Sequence, residues 1–335
     1  MPALVSVIIP AWNVSPFVQS AIRSVLAQTY HEFEVLVVDD GSTDDTATSI
    51  NAIRDARVRL IAQNHRGAAA ARNRGLAEAR GTFIQFLDAD DLMGAEKIGR
   101  QMEVLGQAPA GSVASCAWAH FANDPRDAVV RPEPVWQVSN PVEWLTCSLS
   151  GGGMMQPGSW LTPRAVIEAA GPWDDSLTLH DDGEFFTRVL LKATHNVFVT
   201  GATLYYREVA GSLSRARSRP AMESALAVCH SRQRHLLAAV DSPAGRRALA
   251  TQYGQFAYEF GALAPDLNAQ ALREMHALGA TPAPVIGGPS FRWLTRALGF
   301  PFAWRIRLVL ATGAGEKSAG DRGSKVEDSR PGPLR

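Results

Sequence analysis

Four short apolar runs separated by helical stretches fill the first ninety residues, and that alternation leaves few folds open. Residues 4–10 (LVSVIIP), 33–38 (FEVLVV), 57–62 (RVRLIA) and 82–87 (TFIQFL) are rich in β-branched side chains and suit buried strands. The spacing between them predicts helices. Ser15 offers an N-cap with Pro16 at the first helical position, and Val18, Ile22, Val25 and Leu26 follow at helical intervals. Thr43 to Ile53 reads as a second helix, entered through the turn Asp39-Asp40-Gly41-Ser42. Gly67 to Ala79 reads as an Ala-rich third helix, stopped by Gly81. Strand and helix in alternation predict an α/β fold, with a mostly parallel central sheet and helices on both faces. In such sheets ligands bind beyond the carboxyl ends of the strands. Two acidic turns, at 39–40 and 88–91, fall at such ends.

The remaining chain is less regular at first and then helical. Pro and Gly punctuate residues 92–215, although Asp182–Leu191 carries Phe185, Phe186, Val189 and Leu190 on one helical face. Residues 220–278 read as helical from their Ala and Leu content. With 335 residues the chain has room for one large domain and an appendage. Lys plus Arg equals Asp plus Glu, 33 against 33, which argues against phosphate-driven nucleic-acid binding. Three cysteines (Cys116, Cys147, Cys229) stand far apart, so neither a disulfide framework nor a zinc knuckle is expected, and a reducing compartment fits. The start of the chain has no basic n-region, and no uncharged apolar stretch approaches the roughly 18 residues of a membrane span.

Four constellations could carry chemistry. Asp88-Ala89-Asp90 follows a strand, and carboxylates two apart on extended backbone point the same way. They could share a hard divalent cation, which prefers oxygen ligands, or simply cap the next helix. Asp40 could accept a hydrogen bond from an imide N–H of uracil or thymine, with Asp39 closing an Asx turn. A phosphoacceptor aspartate occupies a similar strand end. In RGAAAARNR (66–74), Gly67 opens a helix whose N-terminus favours an anion, and Arg72 could face a diphosphate; solvated arginines on a surface helix are the plainer reading. His180-Asp181-Asp182-Gly183-Glu184 could supply a general base, or Asp181 or Asp182 could merely cap the helix. No G-x-G-x-x-G follows the first strand and no Walker lysine motif exists, which disfavours nicotinamide dehydrogenases and P-loop NTPases.

Taken in order, VSVIIPAWN, SVLAQTY, FEVLVVDDGSTDDT and NHRGAAAARNRGLAEARGTFIQFLDADD resemble the family-2 inverting glycosyltransferases with the GT-A fold. GPWDDSLTLHDDGEFFTRVLL and YYREVAGSLS resemble the acceptor-side half of the same family. The resemblance is dense over 4–105, moderate over 155–215 and absent beyond. It implies a GT-A domain over 1–215, with a nucleotide-sugar-binding half (1–105) and an acceptor-side half (106–215). A helical extension over 216–311 and a disordered tail over 312–335 follow. It also implies roles: Pro10, Ala11 and Trp12 at the base pocket, Asp40 on a uracil-type base with Asp39 beside it, and Arg72 near the nucleotide. Asp88 then lies near the ribose with Ala89, Asp90 on Mg2+ or Mn2+ with Asp88 sharing the ion, and Asp182 is the catalytic base. Two positions depart from the family pattern. Gly183 stands where a Trp is common, and Val209 where a His is common.

The resemblance implies transfer of a sugar, with inversion, from a UDP- or dTDP-sugar to an acceptor hydroxyl in polysaccharide, glycolipid or other cell-surface glycan synthesis. The acceptor would be a glycan or a lipid-linked saccharide. A non-catalytic nucleotide-sugar-binding partner and a nucleotidyltransferase are the alternatives. Residues 291–311 carry Arg292, Arg296, Arg305 and Arg307 among aromatic residues and no acid. That pattern suits a helix lying on an anionic membrane, or one packed on its own domain or a second subunit. The expected location is therefore cytoplasmic, with peripheral contact at the inner membrane face, and a homo-oligomer is compatible with it.

Overall fold

A computed structural model describes residues 2–209, 216–283, 285–307 and 309. The tail expected to be disordered, 312–335, lies outside the described residues, as does 210–215. The first half reads β1 (Val5–Ala11), α1 (Val18–Leu26), β2 (Phe33–Asp39), α2 (Thr46–Asn51), β3 (Val58–Ala62), α3 (Ala68–Glu78) and β4 (Phe83–Phe86). Then come β5 (Leu92–Met93), α4 (Lys97–Leu105), β6 (Val113–Phe121), β7 (Val129–Val130), α5 (Pro141–Cys147), β8 (Leu161–Pro163), α6 (Arg164–Ala170), α7 (Asp181–Lys192) and β9 (Asn196–Arg207). Four helices end the described chain: α8 (Arg219–Ala239), α9 (Pro243–Phe260), α10 (Pro265–Ala277) and α11 (Pro289–Leu298), with residues 300–307 also helical.

Among the described residues the strands form one sheet in the order β3-β2-β1-β4-β8-β6-β9-β5, with β7 paired to β6. β1 pairs in parallel with β2 and β4, β2 with β3, and β6 with β9; β8, β5 and β7 run antiparallel to their neighbours. The expected mostly parallel sheet is present, with antiparallel strands inserted in its second half. Right-handed crossovers fix the faces. The chain steps from β1 to β2 to β3 in one direction, so α1 and α2 share a face. It then returns past β1 to β4, which puts α3 on the other face. The reversal falls between β1 and β4, and at the carboxyl ends beside such a reversal sheets of this kind bind their ligands. β2 is buried along its whole length, because both of its faces are covered.

Three element boundaries differ from the sequence reading. Ser15 does not cap α1, which begins at Val18 without a side-chain cap. The N–H groups of Val14 and Ser15 go instead to Thr46 and Asp44, so a contact between loops overrides the local signal. Those bonds also delay α2 to Thr46. Gly81 does not end α3, which stops at Glu78 with Ala79 extended. Gly81 is needed because a side chain there would collide with the backbone of Leu4 and Ser6. Gly75, on α3, lets that helix lie flush on Ile8 of β1 in the same way.

Candidate active site

The loops after β1 and β2 are knotted together by polar contacts. Asn13 takes a left-handed conformation (φ 51°), its N–H donates to Ser42 Oγ (3.0 Å), and its Oδ1 accepts from the Thr43 N–H (2.8 Å). Asp39 Oδ1 accepts from the Ser42 N–H (3.1 Å), so it closes the turn as expected, but with the N–H three residues on and not the two of an Asx turn. Asp40 is almost fully buried, at 2% exposure. Its Oδ1 accepts from Gln63 Nε2 (2.6 Å) and the Arg66 N–H (2.9 Å). Its Oδ2 accepts from the Gly67 N–H (2.7 Å) and faces His65 Nδ1 (2.9 Å). Three donors thus occupy the carboxylate, while His65 Nδ1, within hydrogen-bond reach of the Asp40 carbonyl (3.2 Å), crowds its remaining side. Asp40 therefore holds the loop that opens α3, and a base N–H would have to displace Gln63 or His65. Trp12 is exposed and stacks on His65, with ring centroids 4.5 Å apart. Pro10 and Ala11 form the end of β1 beneath it.

About 7 Å further along α3, by its rise of 1.5 Å per residue, stands Arg72. It is neither a solvated surface arginine nor free to face a diphosphate. Its Nη2 donates to Asp88 Oδ1 (2.8 Å), its Nη1 donates to Asp181 Oδ2 (2.9 Å), and its guanidinium lies 4.4 Å over the Trp173 ring. Nε has no partner among the described residues. The next residue, Asn73, exchanges two hydrogen bonds with the Trp173 backbone (2.8 and 2.9 Å). Trp173 in turn stacks on Phe185 of α7 at 4.0 Å. Arg72 thus clasps the end of β4 to the start of α7. The sequence offered the arginine, but nothing local to it named partners 16 and 109 positions away.

The acidic motif after β4 departs from the extended geometry expected of it. The Asp91 N–H returns to the Asp88 carbonyl (3.1 Å), so Asp88-Ala89-Asp90-Asp91 is a turn. Arg207, at the end of β9, secures that turn from outside: its N–H donates to Asp91 Oδ1 (2.9 Å) and its Nε to the Asp90 carbonyl (2.8 Å). Burial, reinforced by the charge of Asp88, pushes the Asp90 carboxyl up to about 6. Burial also raises Asp91, whose Oδ2 has no partner among the described residues. Sequence reasoning passed over Arg207 and Asp91, although both lie in the quoted motifs.

Neither Asp181 nor Asp182 caps α7 as the simpler reading had it. His180 occupies the cap position in a left-handed conformation (φ 59°) without a side-chain bond, and both aspartates fall in the first turn. Non-glycine residues in that region carry strain on the order of 1 kcal/mol. Among the described residues His180 and Asn13 are the two that do, and each lies on a loop of this cleft. Asp182 Oδ1 accepts from the Gly183 N–H (2.7 Å), and no ion pair among the described residues ties the carboxylate down. Burial raises its pKa; the Gly183 N–H and the guanidinia of Arg72 and Arg232 oppose that rise, and Asp88 adds to it. Asp181 is raised by burial too, with Arg72 opposing. Asp88, Arg72, Asp181 and Asp182 therefore share one electrostatic cluster. Asp90 joins it through Asp88, and Asp40 anchors the helix that delivers Arg72.

A divalent cation fits this donor set in one way. Among the described residues no three His, Cys, Asp or Glu side chains converge as a cage. Asp90 is an uncommitted, half-buried carboxylate, the partnerless Asp91 oxygen lies beside it, and Asp88 has one oxygen on Arg72. An all-oxygen, partly protein-supplied set suits magnesium or manganese completed by phosphate oxygens.

Residues 6–161 match the family model described as glycosyl transferase family 2. The uncharacterized glycosyltransferase EpsJ of Bacillus subtilis (strain 168) is 30% identical over 232 residues, 68% of this chain and 67% of that protein. The UDP-Glc:alpha-D-GlcNAc-diphosphoundecaprenol beta-1,3-glucosyltransferase WfaP of Escherichia coli is 44% identical over 103 residues, 30% of this chain and 41% of that protein. The chain thus spans about two thirds of the length of one relative and two fifths of the other. A crystal structure of S. aureus TarS 1-349 in complex with UDP-GlcNAc superposes with a TM-score of 0.69 at 18% identity, covering 92% of both chains, which shows a shared fold that includes the C-terminal helices. The Arg72 clasp between Asp88, just beyond β4, and Asp181 of α7, the matching family model and a relative aligned over two thirds of its length together make this chain a member of glycosyl transferase family 2.

Proposed function

We propose that this glycosyltransferase binds a uridine- or thymidine-diphospho-sugar in the crevice beyond β1 and β4, and transfers the sugar with inversion to a hydroxyl of a saccharide acceptor. The observation that carries the reading is the cluster in which Arg72 ties Asp88 to Asp181, next to the carboxylate of Asp182, which among the described residues is held by the Gly183 N–H and by no ion pair. Trp12 presents an exposed aromatic face to the nucleobase, and Asp40, by exchanging Gln63 or His65 for the base, reads its imide N–H. The nucleotide-sugar half is 1–105, the acceptor side 106–215, and the helices from 216 on are an extension.

Cleavage at the anomeric carbon leaves negative charge on the diphosphate. A magnesium or manganese ion held by Asp90 and Asp88 would supply the charge that stabilises this leaving group. Asp182 removes the proton from the acceptor hydroxyl as that oxygen attacks the face opposite the diphosphate. Its buried carboxylate, lifted above the ordinary range, is a better proton acceptor than a solvated one. Arg72 keeps Asp88 and Asp181 paired while the nearby charges change.

WfaP, by its name, takes UDP-glucose to a diphosphoundecaprenol-linked sugar, and the TarS complex holds UDP-GlcNAc; both support a uridine donor, and the first supports a lipid-linked acceptor. Among the described residues no helix is long and apolar enough to cross a membrane. We infer peripheral attachment at the cytoplasmic membrane face through α11, residues 300–307 and 309. Their outward side exposes Trp293, Leu298, Phe302, Ile306 and Val309 between Arg292, Arg296 and Arg305.

The test combines binding and turnover. UDP titrated calorimetrically with and without Mn2+ should bind the parent in a metal-dependent manner, and Asp90→Ala should lose that dependence. Asp182→Asn should keep UDP affinity within about twofold and lose transfer by about 100-fold or more, the contribution of a general base. Parental transfer rates in Asp182→Asn would reject the assignment of the base.

A further inference from the structure

The turn that carries Asp182 is held from outside the 6–161 segment that matches the family. Helix α8 reaches it with Ser224, Ser231 and Arg232, spaced to share one helix face. Ser224 Oγ accepts from the N–H groups of Thr178 (2.9 Å) and Leu179 (3.0 Å), and donates to the Leu179 carbonyl (2.9 Å). Ser231 Oγ donates to Glu184 Oε1 (2.8 Å). Arg232 Nε donates to the Gly183 carbonyl (3.0 Å) and its Nη1 to Gln252 Oε1 of α9 (3.3 Å). Between these two grips lie the left-handed His180, then Asp181 and Asp182.

Gly183 is shaped to this arrangement. Any Cβ there would collide with Arg232 Nη2, so the guanidinium fills the space a side chain would need. The Gly183 N–H holds Asp182 Oδ1 while its carbonyl is held by Arg232, so one residue joins the carboxylate to the arginine. Among the described residues no carboxylate lies within ion-pair distance of Arg232; Asp182 and Glu184 are the acidic side chains whose charge it feels. Arg72, the other cation near Asp182, is committed to Asp88 and Asp181.

We propose that Arg232 is a positioning residue for transfer: by filling the space over Gly183 and holding its carbonyl, it fixes the turn that aims the Asp182 carboxylate into the donor crevice. The C-terminal helices are then part of the catalytic apparatus, and the glycine that departs from the family pattern is the counterpart of this arginine. The inference rests on the reading of Asp182 as the base.

The experiment uses the full chain and the variants Arg232→Met, Arg232→Lys, Gly183→Ala and the double variant Gly183→Ala/Arg232→Met. Its readouts are UDP binding with Mn2+, UDP release from UDP-glucose and UDP-N-acetylglucosamine, and amide hydrogen exchange. In Arg232→Met, UDP affinity should stay within about twofold while turnover falls about 10- to 100-fold, the scale of an angstrom-level misplacement. Exchange over 176–186 should rise about tenfold, with 5–40 unchanged. Arg232→Lys should recover most of both losses. Gly183→Ala should resemble Arg232→Met, and the double variant should be no worse than Arg232→Met, because the collision needs both partners. Parental exchange over 176–186 in Arg232→Met would overturn the proposal. So would lost UDP binding with faster exchange throughout, the signature of an arginine that only stabilises the fold. If the parent binds no UDP, the donor-site reading fails, and exchange over 176–186 still decides the role of Arg232.

Discussion

Arg72 feels three carboxylates: it is bonded to two of them, Asp88 and Asp181, and senses the third, Asp182. Burial first, and the neighbouring negative charge of Asp88 second, make Asp181 and Asp182 resist ionisation, although Arg72 opposes both. Lys97 is the opposite case. It is fully buried, with Nζ bonded to the amide oxygens of Gln85 (2.5 Å) and Gln101 (2.8 Å) and to no carboxylate among the described residues. Burial drops its pKa to about 8, against a small opposing effect from Cys116. Between there and the ordinary lysine value the unfolded chain keeps a proton the folded chain has released, so this group stabilises the fold increasingly as pH rises. Urea unfolding of the parent and Lys97→Met at pH 7.5 and pH 10 should show the stability difference, parent minus variant, growing by on the order of 2 kcal/mol. A pH-independent difference would mean that Lys97 does not change charge over that range. Residue types were legible in the sequence: Asp39 and Asp40 follow β2, Asp88 and Asp90 follow β4, and Asp182 lies in the first turn of α7. Their partners were not. Asp40 is surrounded by Gln63, His65, Arg66 and Gly67, and Arg232 lies in a segment with no family-like motif.

At the level of elements, apolar runs located β1 to β4 and helical spacing located α1 to α3 and α7, because burial dictates both, whereas β5 to β9 and α4 to α6 lie in the stretch that read only as irregular. Helix starts were misread where a distant group took the N–H that a local cap would have used, as Thr46 and Asp44 do at Val14 and Ser15. The last helices show a different lesson. Phe291, Phe300, Ala303 and Trp304 bury one side of them, so packing on the chain's own domain is real, yet the other side remains apolar and basic. Packing on the chain's own helices therefore accounts for one face of the described residues in this stretch, and the proposed lipid contact concerns the other. In co-sedimentation with vesicles containing about 30% phosphatidylglycerol, bound protein should fall at least about fivefold for Trp293→Ser/Phe302→Ser. Added salt should weaken the parent's binding through its arginines. Equal sedimentation of parent and variant would place the lipid contact elsewhere, and a parent that stays in the supernatant but elutes as a dimer would assign the face to a second copy.

For the molecule as a whole, strand order departs from chain order. β9 lies between β6 and β5, and β5 directly follows the acidic turn. A polypeptide ending at residue 162 contains the whole family match but lacks β9, Arg207 and Trp173. It should show no cooperative urea transition and no UDP binding, whereas the full chain should show both; a cooperative fragment that binds UDP would mean that the sheet closes without β9. The same interleaving decides how the chain can be recombined with its relatives. A hybrid joined near residue 105, exchanging one donor preference for another, would graft Asp90 and Asp91 onto a foreign β9. It would inherit working geometry only where that strand also ends in an arginine able to grip their turn.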